Sequence, residues 1–225
     1  MNSQEKWRTN AAIPALAVLL LCALQWLPGN LEAQTPPPQS PDPATLPAHD
    51  SHQGVLIAAD PYLTNERSAQ KFGKKHPYAA GLLAIDVFLR NDTETPLRIN
   101  TDTIELQIVV PGQRRQRLES LTVQDVAYRI VVPNGPAPRG RRGPIPGVAG
   151  GKTKEIAKME DSLRPLMLQT DMIGPHSTVH GFVIFDVDRH FEDTENSSLY
   201  VPDVSRFSSG DKLFFFEIDL KPAAH

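Results

Sequence analysis

A chain of 225 residues, 40% of them apolar, holds enough material for one large or two small domains with a real core. Its 23 basic and 26 acidic side chains leave a net charge of −3, which excludes a strongly basic nucleic-acid binder and an acid-rich disordered chain. One cysteine excludes a disulfide scaffold and a thiolate zinc site, and 21 prolines, well above the usual ~5%, predict linker or long loop.

The N-terminus reads as an export signal. Lys6 and Arg8 outweigh Glu5, and the run AAIPALAVLLLCAL over 11–24 follows. That run is short for a bilayer span of about 20 residues and suits a signal h-region. Trp26, Leu27, Pro28 and Gly29 break it, and Ala33 supplies a small residue before a cut. The pattern predicts a signal peptide over 1–33, cleaved between Ala33 and Gln34, and a periplasmic or secreted mature protein that meets the membrane only transiently. The alternative is an uncleaved anchor over 11–27. Leu21 precedes Cys22 where a lipoprotein signal needs a small residue, so lipidation is excluded and the mature chain holds no cysteine.

Residues 34–54 open with QTPPPQSPDPATLP, whose six prolines and scant apolar content predict a disordered tether. Folded structure is expected from Val55 to about residue 222. Residues 81–90 alternate, with Leu83, Ile85, Val87 and Leu89 on one face, and the cluster Asn91-Asp92-Thr93-Glu94-Thr95-Pro96 is a turn. A short strand over 97–99 follows, then another over 103–110 with Ile104, Leu106, Ile108 and Val110 inward. Late in the chain, 181–187 places Val183, Phe185 and Val187 on one side. Residues 213–220 place Phe214, Phe216, Ile218 and Leu220 together, with Phe215, Glu217 and Asp219 opposite. Period-two alternation of this kind fits half-buried antiparallel strands.

Three segments break the period and read as helices. Thr64 caps one over 64–72. Val123, Val126, Ala127 and Ile130 form a helical stripe over 122–131, with Thr122 and Asp125 in reciprocal capping positions. Ile156, Met159 and Leu163 stripe a third over 153–164, which Pro165 stops. Between the last two, PNGPAPRGRRGPIPGVAGG over 133–151 is a flexible Pro/Gly/Arg insertion. The expected fold is mainly β, an antiparallel sandwich with short helical insertions.

Three stretches carry a family resemblance. YAAGLLAIDVFLRNDTETPLRINTDTIELQI resembles the opening of secreted bacterial immunoglobulin-like domains, in which a strand ends in Asn-Asp or Asn-Ser. MIGPHSTVHGFVIFDV is similar to their later segment, where a turn precedes Gly-aromatic-x-x-Phe, and LFFFEIDL to their closing strand. The resemblance runs over about 58–220. It implies an immunoglobulin-like sandwich and supplies no catalytic residue. The insertion over 133–151 departs from a minimal domain of that kind.

Candidate sites follow from residue chemistry. GVAGGKT over 147–153 falls one residue short of a phosphate loop and follows no strand, so its amides lack the geometry for phosphate. His176, His180 and His190 with Asp186 and Asp188 are metal-type ligands, but an extended strand would part His180 and His190 by roughly 25–30 Å. Arg114, Arg115, Arg117, Arg139, Arg141 and Arg142 lie in two loops around the second helix and could converge as a patch for an anionic partner. No aromatic residues interleave with them, so nucleic acid is not expected. No Gly-x-Ser-x-Gly turn is present, and the pair Glu192-Asp193 reads as a solvated loop. Asn-x-Thr/Ser sequons at Asn91 and Asn196 matter only in a eukaryotic secretory pathway. No cofactor is expected. The functional expectation is an exported, non-enzymatic interaction module for a protein or cell-envelope component. The alternative is a periplasmic metal-binding protein using His176 and His180 with nearby carboxylates.

Overall fold

The computed structural model describes residues 41–109, 112, 114–133, 135 and 150–220. The signal segment with Cys22, residues 34–40 of the tether, Val110, most of the insertion and Arg139, Arg141 and Arg142 lie outside them. In chain order the described elements begin with β1 (His49–His52), β2 (Val55–Pro61), α1 (Asn65–Phe72), β3 (Leu82–Asn91), β4 (Leu97–Ile99), β5 (Glu105–Ile108) and β6 (Gln116–Glu119). There follow α2 (Val123–Val131), α3 (Gly150–Leu163), β7 (Met172–Ile173), β8 (Ser177–Asp186), β9 (Ser197–Val201), β10 (Val204–Arg206) and β11 (Phe216–Asp219). The architecture is mainly β. Sheet 1 has the order β1-β2-β3-β8, sheet 2 β10-β4-β7 and sheet 3 β11-β9-β5-β6, with antiparallel neighbours throughout.

The alternating positions of β3 do what their spacing predicts. Leu83, Ile85, Val87 and Leu89 join Val183 and Phe185 of β8 in one apolar cluster with Leu97, Ile99, Leu106, Leu199, Phe216 and Ile218 from sheets 2 and 3. Burying each such side chain is worth about 1.5–3 kcal/mol, so this layer is the main stabilising contact. Ile104, Leu106 and Ile108 are buried as expected.

The opposite face of sheet 1 is buried as well, which half-buried alternation does not predict. Leu82, Ala84, Phe182 and Ile184 pack under Val126, Ala127, Tyr128 and Ile130 of α2 and Ile156 and Leu163 of α3. The helices therefore form a third layer on sheet 1. The continuous apolar runs of β3 and β8 have the composition of strands covered on both faces. Thr64 and Thr122 cap α1 and α2 through their hydroxyl oxygens, as expected. α3 begins at Gly150, earlier than residue 153, and gives way at Arg164 to a 3-10 turn containing Pro165.

Two expectations are corrected. Residues 41–54 are not a disordered linker: Asp42 caps a 3-10 turn over Pro43–Thr45, Ala48 is buried, and β1 pairs with β2 from His49 through His52. The hairpin turns on Gln53 and Gly54, both left-handed at φ 54° and 78°, as a type I′ turn requires. His-Asp-Ser-His has no apolar alternation to signal a strand, because an edge strand is held by backbone pairing. The second correction concerns Phe214, which is 74% exposed instead of inward, while Phe215 packs on Tyr200. Regular pairing starts only at Phe216, so the alternation does not extend back to residue 213.

Two polar or small residues fix the joins. Asn91, fully buried, donates to the carbonyls of Thr95 and Gly174 at 2.9 Å and accepts from the Thr93 amide at 3.0 Å and hydroxyl at 2.7 Å. It thereby ties the end of β3 to the approach to β8. At Gly181 a Cβ would lie 2.6 Å from the Leu168 nitrogen and 2.9 Å from the Met167 carbonyl carbon. Only glycine lets that segment cross β8 closely enough for the Leu168 amide to reach the Phe182 carbonyl at 3.0 Å.

Candidate functional site

Sheet 1 carries a polar band on its helix-covered face, between the main helical contact and a small cluster of Leu56, Ala58 and Phe88. Register places Asp60 beside Asp86, and Phe88 beside His180. The His180 ring stacks on Phe88 with centroids 4.9 Å apart, and its Nδ1 lies 3.1 Å from Asp86 Oδ1. The Asp86 side chain is 8% exposed. Burial pushes its carboxyl above the usual carboxylate range, against the opposing pull of His180 and of the Lys71 charge. Asp60 is bound through both oxygens by Arg67 at 3.1 and 2.7 Å, and that guanidinium sits 4.3 Å over the Tyr62 ring. Arg129 of α2 similarly reaches Asp186 at the end of β8, at 3.0 Å. These pairs attach helices to the sheet.

The residues weighed as alternative metal ligands do not come together. His176 Nε2 lies 3.0 Å from Glu94, His180 contacts Asp86, and His190 Nδ1 lies 3.4 Å from Glu192. Among the described residues no group of three or more histidine, cysteine or acidic side chains is placed to hold one ion. Asp186 is taken by Arg129 and by the Asp188 amide at 3.1 Å.

Of the arginines of the expected anionic-partner patch, Arg117 lies in β6 of sheet 3 and Arg114 and Arg115 just before it, while Arg139, Arg141 and Arg142 lie outside the described residues. Arg115 donates to Gln107 Oε1 at 2.8 Å and lies 3.4 Å from Glu217, and Arg117 Nε lies 3.9 Å from Glu105. Two of the expected cations thus have carboxylate neighbours, whereas Arg114 is exposed beside them.

The outer face of sheet 3 is the best-defined open surface. Inward Leu199, Phe216, Ile218 and Leu106 leave Tyr200, Ser198, Glu217, Asp219 and Glu105 on the outer side, together with Gln107, which is itself buried. Glu217 Oε1 also accepts from Ser198 Oγ at 3.0 Å. At one end Phe215 is 52% exposed, with its ring 5.4 Å from Tyr200. At the other end Val109, 41% exposed, borders a cleft of about 580 Å³ that Arg115, Asn196, Ser198, Glu217 and Asp219 also line. The outward positions of Glu217 and Asp219 follow from the sequence alternation. Those of Glu105 and Gln107 follow from the alternation over 103–110, whereas that of Tyr200 does not, because no strand is read over 197–201.

The free edge of β11 is closed by side chains. Asp50 accepts from the Glu217 amide at 3.3 Å, His52 Nε2 donates to the Phe215 carbonyl at 3.2 Å, and the His52 ring stacks on Phe216 at 3.9 Å. Gln53 accepts from the Phe214 amide at 3.0 Å. The β1–β2 hairpin therefore holds the backbone from which Phe214 and Phe215 project.

A second cavity of about 550 Å³ lies at the start of α2, bordered by Asp102, Thr122, Asp125, Glu160 and Arg164. There the Thr122 hydroxyl donates to Asp125 Oδ2 at 2.8 Å and accepts from the Asp125 amide at 3.2 Å. Among the described residues no helix is long and apolar enough to cross a membrane.

No family model matches the chain, and no curated protein sequence does. Among solved structures, the crystal structure of a functionally unknown protein from Listeria monocytogenes EGD-e is similar over 77% of this chain and 80% of that one, at 12% identity and a TM-score of 0.39.

Proposed function

We propose that the chain is an exported, non-enzymatic protein built on an immunoglobulin-like sandwich, and that it serves as a protein- or envelope-interaction module. The signal-like segment over 1–33 and the proline-rich residues 34–40 after it support export of a tethered domain. The observation that carries the interaction role is the adjacent pair Phe214 and Phe215, 74% and 52% exposed, on backbone fixed by Gln53 and His52. Rigidly presented aromatic rings left in water mark binding surfaces more often than accidental exposure, because they offer large contact area at little entropic cost.

The test is a pull-down from envelope extract with the mature chain as bait. A component retained by the wild type and lost by Phe214→Ser/Phe215→Ser supports the reading, provided the variant melts like the wild type. Equal retention by both, or none by either, overturns it. Charge reversal of Arg114, Arg115, Arg141 and Arg142 runs in parallel, and loss there alone moves the binding surface to the arginine loops.

A further inference from the structure

Resting on the interaction reading above, we propose that the outer face of sheet 3 binds a neutral oligosaccharide. Three features of that face specify the ligand. Phe215 and Val109 give it apolar ends, and three two-residue steps along the strands separate their rows, a span of about 20 Å. That length fits a short chain of sugar rings laid along the sheet and exceeds a single ring. Between the ends lie hydrogen-bonding side chains: Tyr200 and Glu217 in one row, Ser198 and Asp219 in the next, with Arg115 reaching Glu217 while it holds the buried Gln107. Sugars carry this same pairing of chemistries. Their C–H faces stack on phenyl rings, and their hydroxyls bond best to carboxylates and guanidinium groups fixed in advance.

Charge decides between sugar classes. Arg115 stands against Glu217 and Arg117 against Glu105. Exposed Arg114 beside them is offset by Glu119 in the row of Glu105. An anionic polysaccharide therefore gains no net attraction there, and a neutral one needs none. Preorganisation favours binding further: Glu217 is already held by Ser198 and Arg115, and Phe215 is anchored through its carbonyl by His52.

The experiment is calorimetric titration of the mature protein with short neutral gluco- and N-acetylgluco-oligosaccharides, and with carboxylated and sulfated counterparts. Saturable binding of a neutral member is expected, with affinity changing less than about twofold between low and high salt, because no ion pair forms. Phe215→Ala and Glu217→Gln should each weaken it about tenfold or more, as loss of one stacking or one charge-assisted contact implies. Phe207→Ala, exposed on a different turn, should leave it unchanged. Absence of binding at millimolar sugar, preference for the charged counterparts, or indifference to both substitutions overturns the inference. If no sugar binds while an envelope component is still retained through Phe214 and Phe215, the sugar assignment falls and the interaction reading stands. If neither occurs, both fall.

Discussion

Replacing Gly181 with alanine probes a close backbone approach in the fold. Gly181 sits in β8 opposite Val87, and its α-carbon faces the segment that leads from α3 toward β7. The added methyl would stand 2.6 Å from the Leu168 nitrogen, 2.7 Å from its α-carbon and 2.9 Å from the Met167 carbonyl carbon. All three are backbone atoms, so no side-chain rotation relieves the overlap. The Met167–Leu168 segment must withdraw, stretching the Leu168 amide bond to Phe182 and lifting buried Leu168 from the core. Overpacking costs about 1–3 kcal/mol and the weakened hydrogen bond about 1 kcal/mol, giving roughly 2–4 kcal/mol in total. For a domain of this size that lowers the melting temperature by roughly 5–15 °C. Thermal and urea denaturation followed by circular dichroism measure it. Gly151→Ala is the matched control, since nothing lies within 4 Å of where its methyl would stand in α3, and there alanine should stabilise by up to about 1 kcal/mol. A Gly181→Ala protein within about 0.5 kcal/mol of wild type would refute the steric account.

Other consequences are equally direct. Asn91→Ala leaves the Thr95 and Gly174 carbonyls only the Thr93 and Ser177 hydroxyls as donors and removes the acceptor of the Thr93 amide, and a loss of about 1–3 kcal/mol is expected in urea denaturation; an unchanged midpoint would show that the hub is dispensable. Arg129→Met strands Asp186 with the Asp188 amide, lowering stability by about 1–3 kcal/mol, and Arg129→Met/Asp186→Leu should cost less than the two single changes added. Burial raises the Asp86 pKa in the folded state above its ordinary value of 3.8. The folded protein therefore holds that proton more tightly than the unfolded chain, and stability drains as pH climbs from below that value through the folded pKa. Asp86→Asn removes this drain, so its stability relative to wild type should improve on going from acid to neutral pH; a pH-independent difference would contradict the burial.

The sequence patterns that survive into structure are those set by local chemistry. Thr64 and Thr122 cap helices because their hydroxyls reach the next turn's amides whatever surrounds them. The period of Leu83, Ile85, Val87 and Leu89 reports the main core directly. What period two cannot report is a second covered face, so the burial of Phe182 and Ile184 under α2 and α3 goes unread even though β8 is apolar on both sides. β1 is invisible for the opposite reason, since an edge strand of His-Asp-Ser-His owes its conformation to β2. The outer face of sheet 3 is half legible. The outward setting of Glu217 is in the sequence, but Arg115 reads as part of a free cationic loop until sheet pairing brings Glu217, more than a hundred positions away, to its side.

The burial of Asn91 also bears on how the protein can be made. Its triplet Asn-Asp-Thr is a glycan acceptor, yet its amide nitrogen is spent on carbonyls inside the fold. A eukaryotic secretory host that decorates the nascent chain would hang a bulky, hydrated sugar at a point the finished fold has no room to accommodate. Heterogeneous, unfolded product from such a host, against clean product from a bacterial one, is the production outcome that this single side chain dictates.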